Sequence, residues 1–236
     1  MDAQSKIYEI VKKENPDNPL SFVLNAVKPL AIEKLNNAIK TCEDCKISCN
    51  SVKSLTKGNP NASILIIGDF ITEEQNVRKK DCVPFDDYAG ESLYSILDYY
   101  NVNRNQLFFI NSVNCFPTSD NIPRCPTVAE RHRCKTFLDY AIEIVKPLMI
   151  ICLGAVAING INEEIGRQKL CDIRGNFFQY RGMDVMPTYS PSYFIEANNN
   201  VTKDILDVEF NEFCSNLEIA FTTFQEKYPN IPIFNS

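Results

Sequence analysis

The chain has 236 residues, of which 44% are hydrophobic and 23% charged, with 10 cysteines and no tryptophan. That length and balance suit one large globular domain with ample apolar material for a core. A formal net charge of −6 argues against a protein that coats nucleic acid through bulk electrostatics, and no run reaches the ~20 apolar residues of a membrane-crossing helix. Charges at Lys6, Glu9, Lys12, Lys13 and Glu14 do not fit a secretory leader, so a cytoplasmic location is expected, without membrane association. In such a reducing compartment the cysteines are read as small core residues or as ligands rather than as disulfides.

Apolar positions at helical spacing predict helices over 4–14 and 21–40, interrupted near Pro16 and Pro19. They make an N-terminal helical extension, 1–41, packed on a domain at 42–225, with a C-terminal tail at 226–236. Ser63 to Gly68 is a short, continuously apolar run ending in glycine, the profile of a strand buried on both faces. Leu107 to Ile110 and Leu148 to Leu153 repeat it, and Val185 to Thr188 is a shorter fourth. Helical patterns lie between and after them, at Gly90 to Tyr100, Thr127 to Val145, Ala155 to Asn159 and about Thr202 to Phe224. This alternation predicts an α/β fold: a three-layer α/β/α sandwich around a central, mostly parallel four-stranded sheet. Ligands of such sheets bind beyond the carboxyl ends of the strands, here Asp69, Asn111 to Cys115, Gly154, and Tyr189 with Ser190.

Four cysteines stand out: the pair Cys42 and Cys45, two residues apart, and Cys115 and Cys134 far downstream. Two soft-ligand pairs brought together hold either zinc or an iron–sulfur cluster. Cys49 and Cys125 compete for ligation because each lies close to a proposed ligand. Cys152 reads as a core residue on a buried strand and Cys214 as a packed helical one, while Cys82 and Cys171 take no role. Two basic clusters, Arg78-Lys79-Lys80 and Arg131 with Arg133 and Lys135, read as solvated surface.

The order of these segments resembles the iron–sulfur uracil-DNA glycosylases, family 4 of their superfamily, from Cys42 to about Phe213. After the first cysteine pair, Gly58-Asn59 and Ser63 to Asp69 look like the family's strand ending in Gly-Glu. Pro84-Phe85 with Ala89-Gly90 and Leu93 looks like its P-F-x3-A-G segment. Phe109-Ile110-Asn111 with Cys115 and Pro117 looks like its I-x-N strand. Pro126-Thr127 with Glu130 and Cys134 looks like its P-T-x-E-E-x3-C. Leu153-Gly154 with Ala157, then Arg174-Gly175, follow in order, and Thr188-Tyr189-Ser190-Pro191-Ser192-Tyr193 occupies the place of T-x-H-P-S-Y.

The resemblance implies a monofunctional DNA glycosylase, expected to be monomeric, that flips a pyrimidine (uracil or a 5-modified base) out of DNA and hydrolyses its N-glycosidic bond. It implies a [4Fe–4S] cluster on Cys42, Cys45, Cys115 and Cys134; ligand type alone leaves a four-thiolate zinc site open. Asp69, where the family has glutamate, would position or polarise the attacking water. Phe85 would stack on the base, Asn111 would read its Watson–Crick edge, Phe70 would wall its C5 side, and Tyr193, Phe194 or Ile195 would wedge into the gap left behind.

Three departures bear on the substrate. Ser190 replaces the family's histidine facing the pyrimidine O2, and losing such a donor costs ~3 kcal/mol. Phe70-Ile71-Thr72 replaces a small turn, and Asn114 and Phe116 replace basic residues. Changes at the C5-facing turn and at the O2-facing loop would suit a pyrimidine with a modified 5-position. An anti-phage glycosylase acting on glucosylated hydroxymethylcytosine is therefore the first alternative. A catalytically silent DNA-binding or replication accessory protein on the same fold is the second.

Overall fold

The computed structural model describes residues 19–47, 51–120, 122–196 and 201–235. The helix expected at 4–14, and Cys49, lie outside them. The first described helix is α1 (Pro19–Lys40), followed by strands β1 (Lys57–Gly58) and β2 (Ile64–Gly68) and helices α2 (Glu73–Val77) and α3 (Tyr88–Tyr99). Strand β3 (Leu107–Asn111) leads to a small hairpin of β4 (Thr118–Ser119) and β5 (Ile122–Pro123), then to α4 (Val128–Val145) and β6 (Met149–Leu153). Three short helices follow, α5 (Ala155–Ile161), α6 (Glu163–Gly166) and α7 (Leu170–Ile173). Strands β7 (Phe178–Tyr180) and β8 (Met183–Thr188) precede α8 (Pro191–Glu196) and α9 (Lys203–Lys227). Among the described residues no helix is long and apolar enough to cross a membrane.

The main sheet has six strands in the order β1-β3-β2-β6-β8-β7, not the four expected. The four predicted strands form its parallel centre. The two additional ones, β1 and β7, are short antiparallel edges of two and three residues, too brief to carry a readable alternation. Layering follows from side chains pointing to opposite faces at successive strand positions. Leu65 and Ile67, with Phe108, Ile110 and Ile150, pack on Ile32, Leu35 and Ile39 of α1 and on Leu138 and Ile142 of α4. Ile64 and Ile66, with Leu107, Phe109 and Ile151, pack on Leu93 and Leu97 of α3 and on Phe213, Leu217 and Phe221 of α9. Ile233, past the end of α9, is fully buried in this second layer.

The chain leaves β2 toward β3 on one side of the sheet, whereas it leaves β6 toward β8 on the other. The point where the winding direction changes therefore lies between the carboxyl ends of β2 and β6, where open α/β sheets bind ligands. Register sets Gly68, Asn111, Leu153 and Thr188 at one level across the four strands. The next residues along β2, β6 and β8, Asp69, Gly154 and Tyr189, meet at that opening.

Candidate functional site

A cavity of about 750 Å³ opens at this end of the sheet. Asp69, Phe70, Phe85, Asn111, Ser190 and Tyr193, all named from the sequence, line it together. Four of them come from strand ends or the residues just after, so the sheet register itself brings them together.

Asp69 reaches across the winding change to the neighbouring strand's helix. Its Oδ1 accepts from the Ala157 backbone N–H at 2.7 Å, in the first turn of α5. The N-cap of that helix, Gly154, has no side chain to offer, so Asp69 supplies the missing acceptor and gains a fixed orientation in return. Gly154 adopts φ +112°, and a Cβ there would overlap the Asp69 carboxylate. Only glycine fits both requirements.

Asn111 is buried, and its Nδ2 donates to Ser54 Oγ at 3.1 Å. Phe85 has φ +60°, a left-handed conformation rare for a bulky residue and typical of strain held at working sites. Gly68 lies under both: a Cβ there would overlap Asn111 Oδ1 and press on the Phe85 ring, with Cζ 2.9 Å away. The Phe85 ring meets Phe109 edge-on, with centroids 6.0 Å apart.

The opposite wall is a network of hydroxyls and rings. Tyr189 and Tyr193 stack with centroids 5.4 Å apart, and both donate to Glu209 of α9, at 3.1 Å and 2.7 Å. Glu212, one turn on, makes a two-pronged ion pair with Arg174, both bonds 2.8 Å. Burial, with the two carboxylates adding to it, pushes the Tyr189 phenol well up, so it stays a donor. Ser190 Oγ lies 2.9 Å from Ser192 Oγ. Phe194 packs against Tyr189, Tyr193, Phe210 and Phe213, while Ile195 beside it is 50% exposed.

The rim comes from the loop before α4. Pro123, Arg124 and Cys125 line the cavity, and Arg124 grips Glu130 with bonds of 2.8 Å and 2.7 Å. Glu130 also closes the capping box of α4 with Thr127. Sequence reasoning missed Glu209, Arg124, Ser54 and Lys53; none belongs to a local motif, and only a tertiary contact reveals them. Of the remaining carboxylates in the lining, Asp87 is used structurally, accepting from Gly90 N at 2.8 Å and Thr72 Oγ1 at 2.8 Å. Glu73 is exposed at the rim.

As the side chains stand, no three or more His, Cys, Asp or Glu among the described residues form a closed metal site. The four named cysteines nevertheless share one neighbourhood. Cys115 and Cys134 each feel the charges of Cys42 and Cys45, and Cys45, Cys115 and Cys134 pack with Ile47, Val113 and Val156. Burial pushes the Cys115 thiol up to about 11, opposed by the Lys53 ammonium, and the Cys134 thiol up to about 12. Lys53, itself buried, lies 3.5 Å from Cys115 Sγ. Four soft donors with a buried cation beside them suit a net-negative iron–sulfur cluster, whose ligands must be thiolates. Cys125 is exposed in the cavity lining instead. Phe70 touches both the cysteine neighbourhood and the cavity.

The family model of the uracil DNA glycosylase superfamily matches residues 55–213. A type-4 uracil-DNA glycosylase of Thermotoga maritima is 30% identical over 183 residues, 75% of this chain and 91% of that protein. One from Sulfurisphaera tokodaii is 28% identical over 81% of this chain and 86% of its own length. One from Pyrobaculum aerophilum is 29% identical over 68% and 83%.

Proposed function

The chain belongs to the uracil DNA glycosylase superfamily, in its type-4 group, and from that premise we propose that it removes uracil, or a uracil altered at its 5-position, from DNA. The observation that carries this reading is the convergence of Asp69, Phe85, Asn111 and Ser190 on one cavity at the winding change of the sheet. The extruded base stacks on Phe85 and meets Asn111 with its Watson–Crick edge. Bond cleavage gives the sugar oxocarbenium character, which the Asp69 carboxylate stabilises while orienting water toward the sugar carbon. Ser190 donates to the O2 side, where negative charge develops on the departing base. Ile195, backed by the packed Tyr193 and Phe194, fills the gap in the duplex. Residues 42–225 are the catalytic unit, with α1 of the N-terminal extension and Ile233 of the C-terminal tail packed against it.

Cys42, Cys45, Cys115 and Cys134 would hold a [4Fe–4S] cluster, which when bound supplies a rigid tie among the loops that carry them. Lys53 offsets its negative charge at Cys115. Preparation without oxygen is expected to give absorbance near ~400 nm; a colourless protein with bound zinc would favour the zinc site.

The cavity volume supports the larger substrate as a second reading. At about 750 Å³ it sits high in the range for drug-sized ligands, about 300–1,000 Å³, and exceeds what a bare pyrimidine fills. The test uses oligonucleotides carrying uracil, 5-hydroxymethyluracil or glucosylated hydroxymethylcytosine, followed by alkali at abasic sites. Breaks at a uracil-type base, abolished by Asp69→Asn, are the expected result. DNA binding with no break on any substrate would establish the silent accessory protein instead.

A further inference from the structure

Lys53 is only 6% exposed, an unusual degree of burial for a lysine. Its ammonium donates to the Cys42 carbonyl at 3.1 Å and lies 3.5 Å from Cys115 Sγ. It therefore reaches the backbone of one proposed ligand and the sulfur of another. The chain around it is held from both sides. Lys53 N–H donates to Asp81 Oδ1 at 3.4 Å, and its carbonyl accepts from Cys82 N–H at 2.9 Å. Ser54 N–H donates to the Asn114 carbonyl at 3.0 Å. With its backbone and its ammonium both anchored, Lys53 keeps its charge at the Cys115 sulfur.

Lys46 and Arg133 also stand by the cysteine set. They line a cleft of about 480 Å³ together with Cys45, and both are exposed. Water and salt screen charges of that kind, whereas a buried charge acts through a low effective dielectric. Lys53 is thus the cation placed to change the electronics of a group bound there. The sign of that change follows from charge. A cluster held by four thiolates is net negative, and each electron added makes it more so. A fixed cation at Cys115 favours the more reduced partner of any couple. The N–H to sulfur bond acts in the same sense, because it draws charge from the sulfur.

We infer that Lys53 raises the reduction potential at this site and so protects the cluster against oxidative loss. This rests on the reading of Cys42, Cys45, Cys115 and Cys134 as cluster ligands. Lys53 is a positioning residue, and it bears on base excision only through the loops that those ligands carry.

The test uses the full chain purified without oxygen. Titration with mediator dyes gives the potential. Resistance is the rate at which ferricyanide, taking up one electron to become ferrocyanide, bleaches the absorbance at ~400 nm. Lys53→Met, neutral and close in length, is expected to shift the potential to more negative values and to bleach about tenfold faster. Lys53→Gln keeps an N–H donor without the charge and should fall between Lys53→Met and wild type. It carries the comparison if Lys53→Met does not fold. Lys53→Arg restores the charge and should return both readouts toward wild type. Lys46→Met removes the same charge at an exposed position beside Cys45 and should change neither readout. A Lys53→Met or Lys53→Gln protein that keeps its iron at the wild-type potential and bleaching rate would overturn the inference. So would a Lys46→Met protein that shifts as far, because net charge rather than the buried contact would then be responsible. Both results leave the cluster reading intact. A wild-type protein that is colourless and holds zinc would sink the cluster reading and the inference together.

Discussion

The two walls of the cavity are held by different forces. The wall made by Asp69, Asn111 and Phe85 is set by backbone: strand register fixes where the residues start, and glycines beneath them leave no room for alternatives. The wall made by Tyr189, Ser190 and Tyr193 is set by side chains, through hydroxyls that reach carboxylates on α9. In the proposed reaction the first wall carries the groups whose position must be held to a fraction of an ångström for chemistry. In that reaction the second would enclose the base, and so could trade some rigidity for shape.

The largest effect should come from attacking the first wall at Gly154. Gly154→Ala adds a left-handed strain of ~1–2 kcal/mol and an overlap with the Asp69 carboxylate. Activity on uracil is expected to fall by more than ~100-fold, with Tm lower by roughly 5 °C. Single-turnover kinetics and a thermal melt measure the two. A fully active Gly154→Ala would mean that the Asp69 position is not critical, and the contrast between the walls would disappear. On the second wall, Glu209→Gln keeps one acceptor oxygen and loses the charge and the other. The expected loss is about 1–2 kcal/mol, a fall in kcat/KM of ~5–30-fold carried mainly by KM. A loss in kcat alone would mean that this wall also positions reacting groups.

The contrast also explains what could be read from the sequence. Residues of the first wall stand at the ends of continuously apolar runs, and buried strands of that kind announce themselves. Gly68, Asp69 and Asn111 were therefore legible together with the four central strands. The Tyr189 to Tyr193 segment was legible as a motif, but its function as a wall was not. Glu209 is one acidic residue in a long amphipathic helix, and nothing local separates it from a solvated one. The same limit hid Ser54 and Lys53, ordinary polar residues between a cysteine pair and a strand, which only burial against Asn111 and Cys115 makes significant. Phe194, one of the three residues expected as a wedge with Tyr193 and Ile195, packs among four other rings, a burial that no local pattern announces, while Ile195 beside it is exposed. The edge strands β1 and β7 went unread because two or three residues cannot establish a period.

The rim offers a third kind of support, in which charge holds a loop. Arg124 is fixed by Glu130, whose carboxyl is held down to about 2, first by the Arg124 bond and then by the Thr127 backbone N–H. A carboxyl with a depressed folded value stabilises the native state above its ordinary pKa of 4.5 and loses that contribution as pH falls toward 2. Glu130→Gln should therefore destabilise the protein at pH 6 by about 1–3 kcal/mol, and the gap to wild type should close steadily below pH 4.5. Melting both proteins across pH 6 to 3 measures it, with the difference between them cancelling whatever acid does elsewhere. Activity at neutral pH should change least of all the variants considered, because Arg124 can still donate to the remaining amide oxygen. A gap that stays constant with pH would assign the rim to packing rather than charge, and would place it with the side-chain wall.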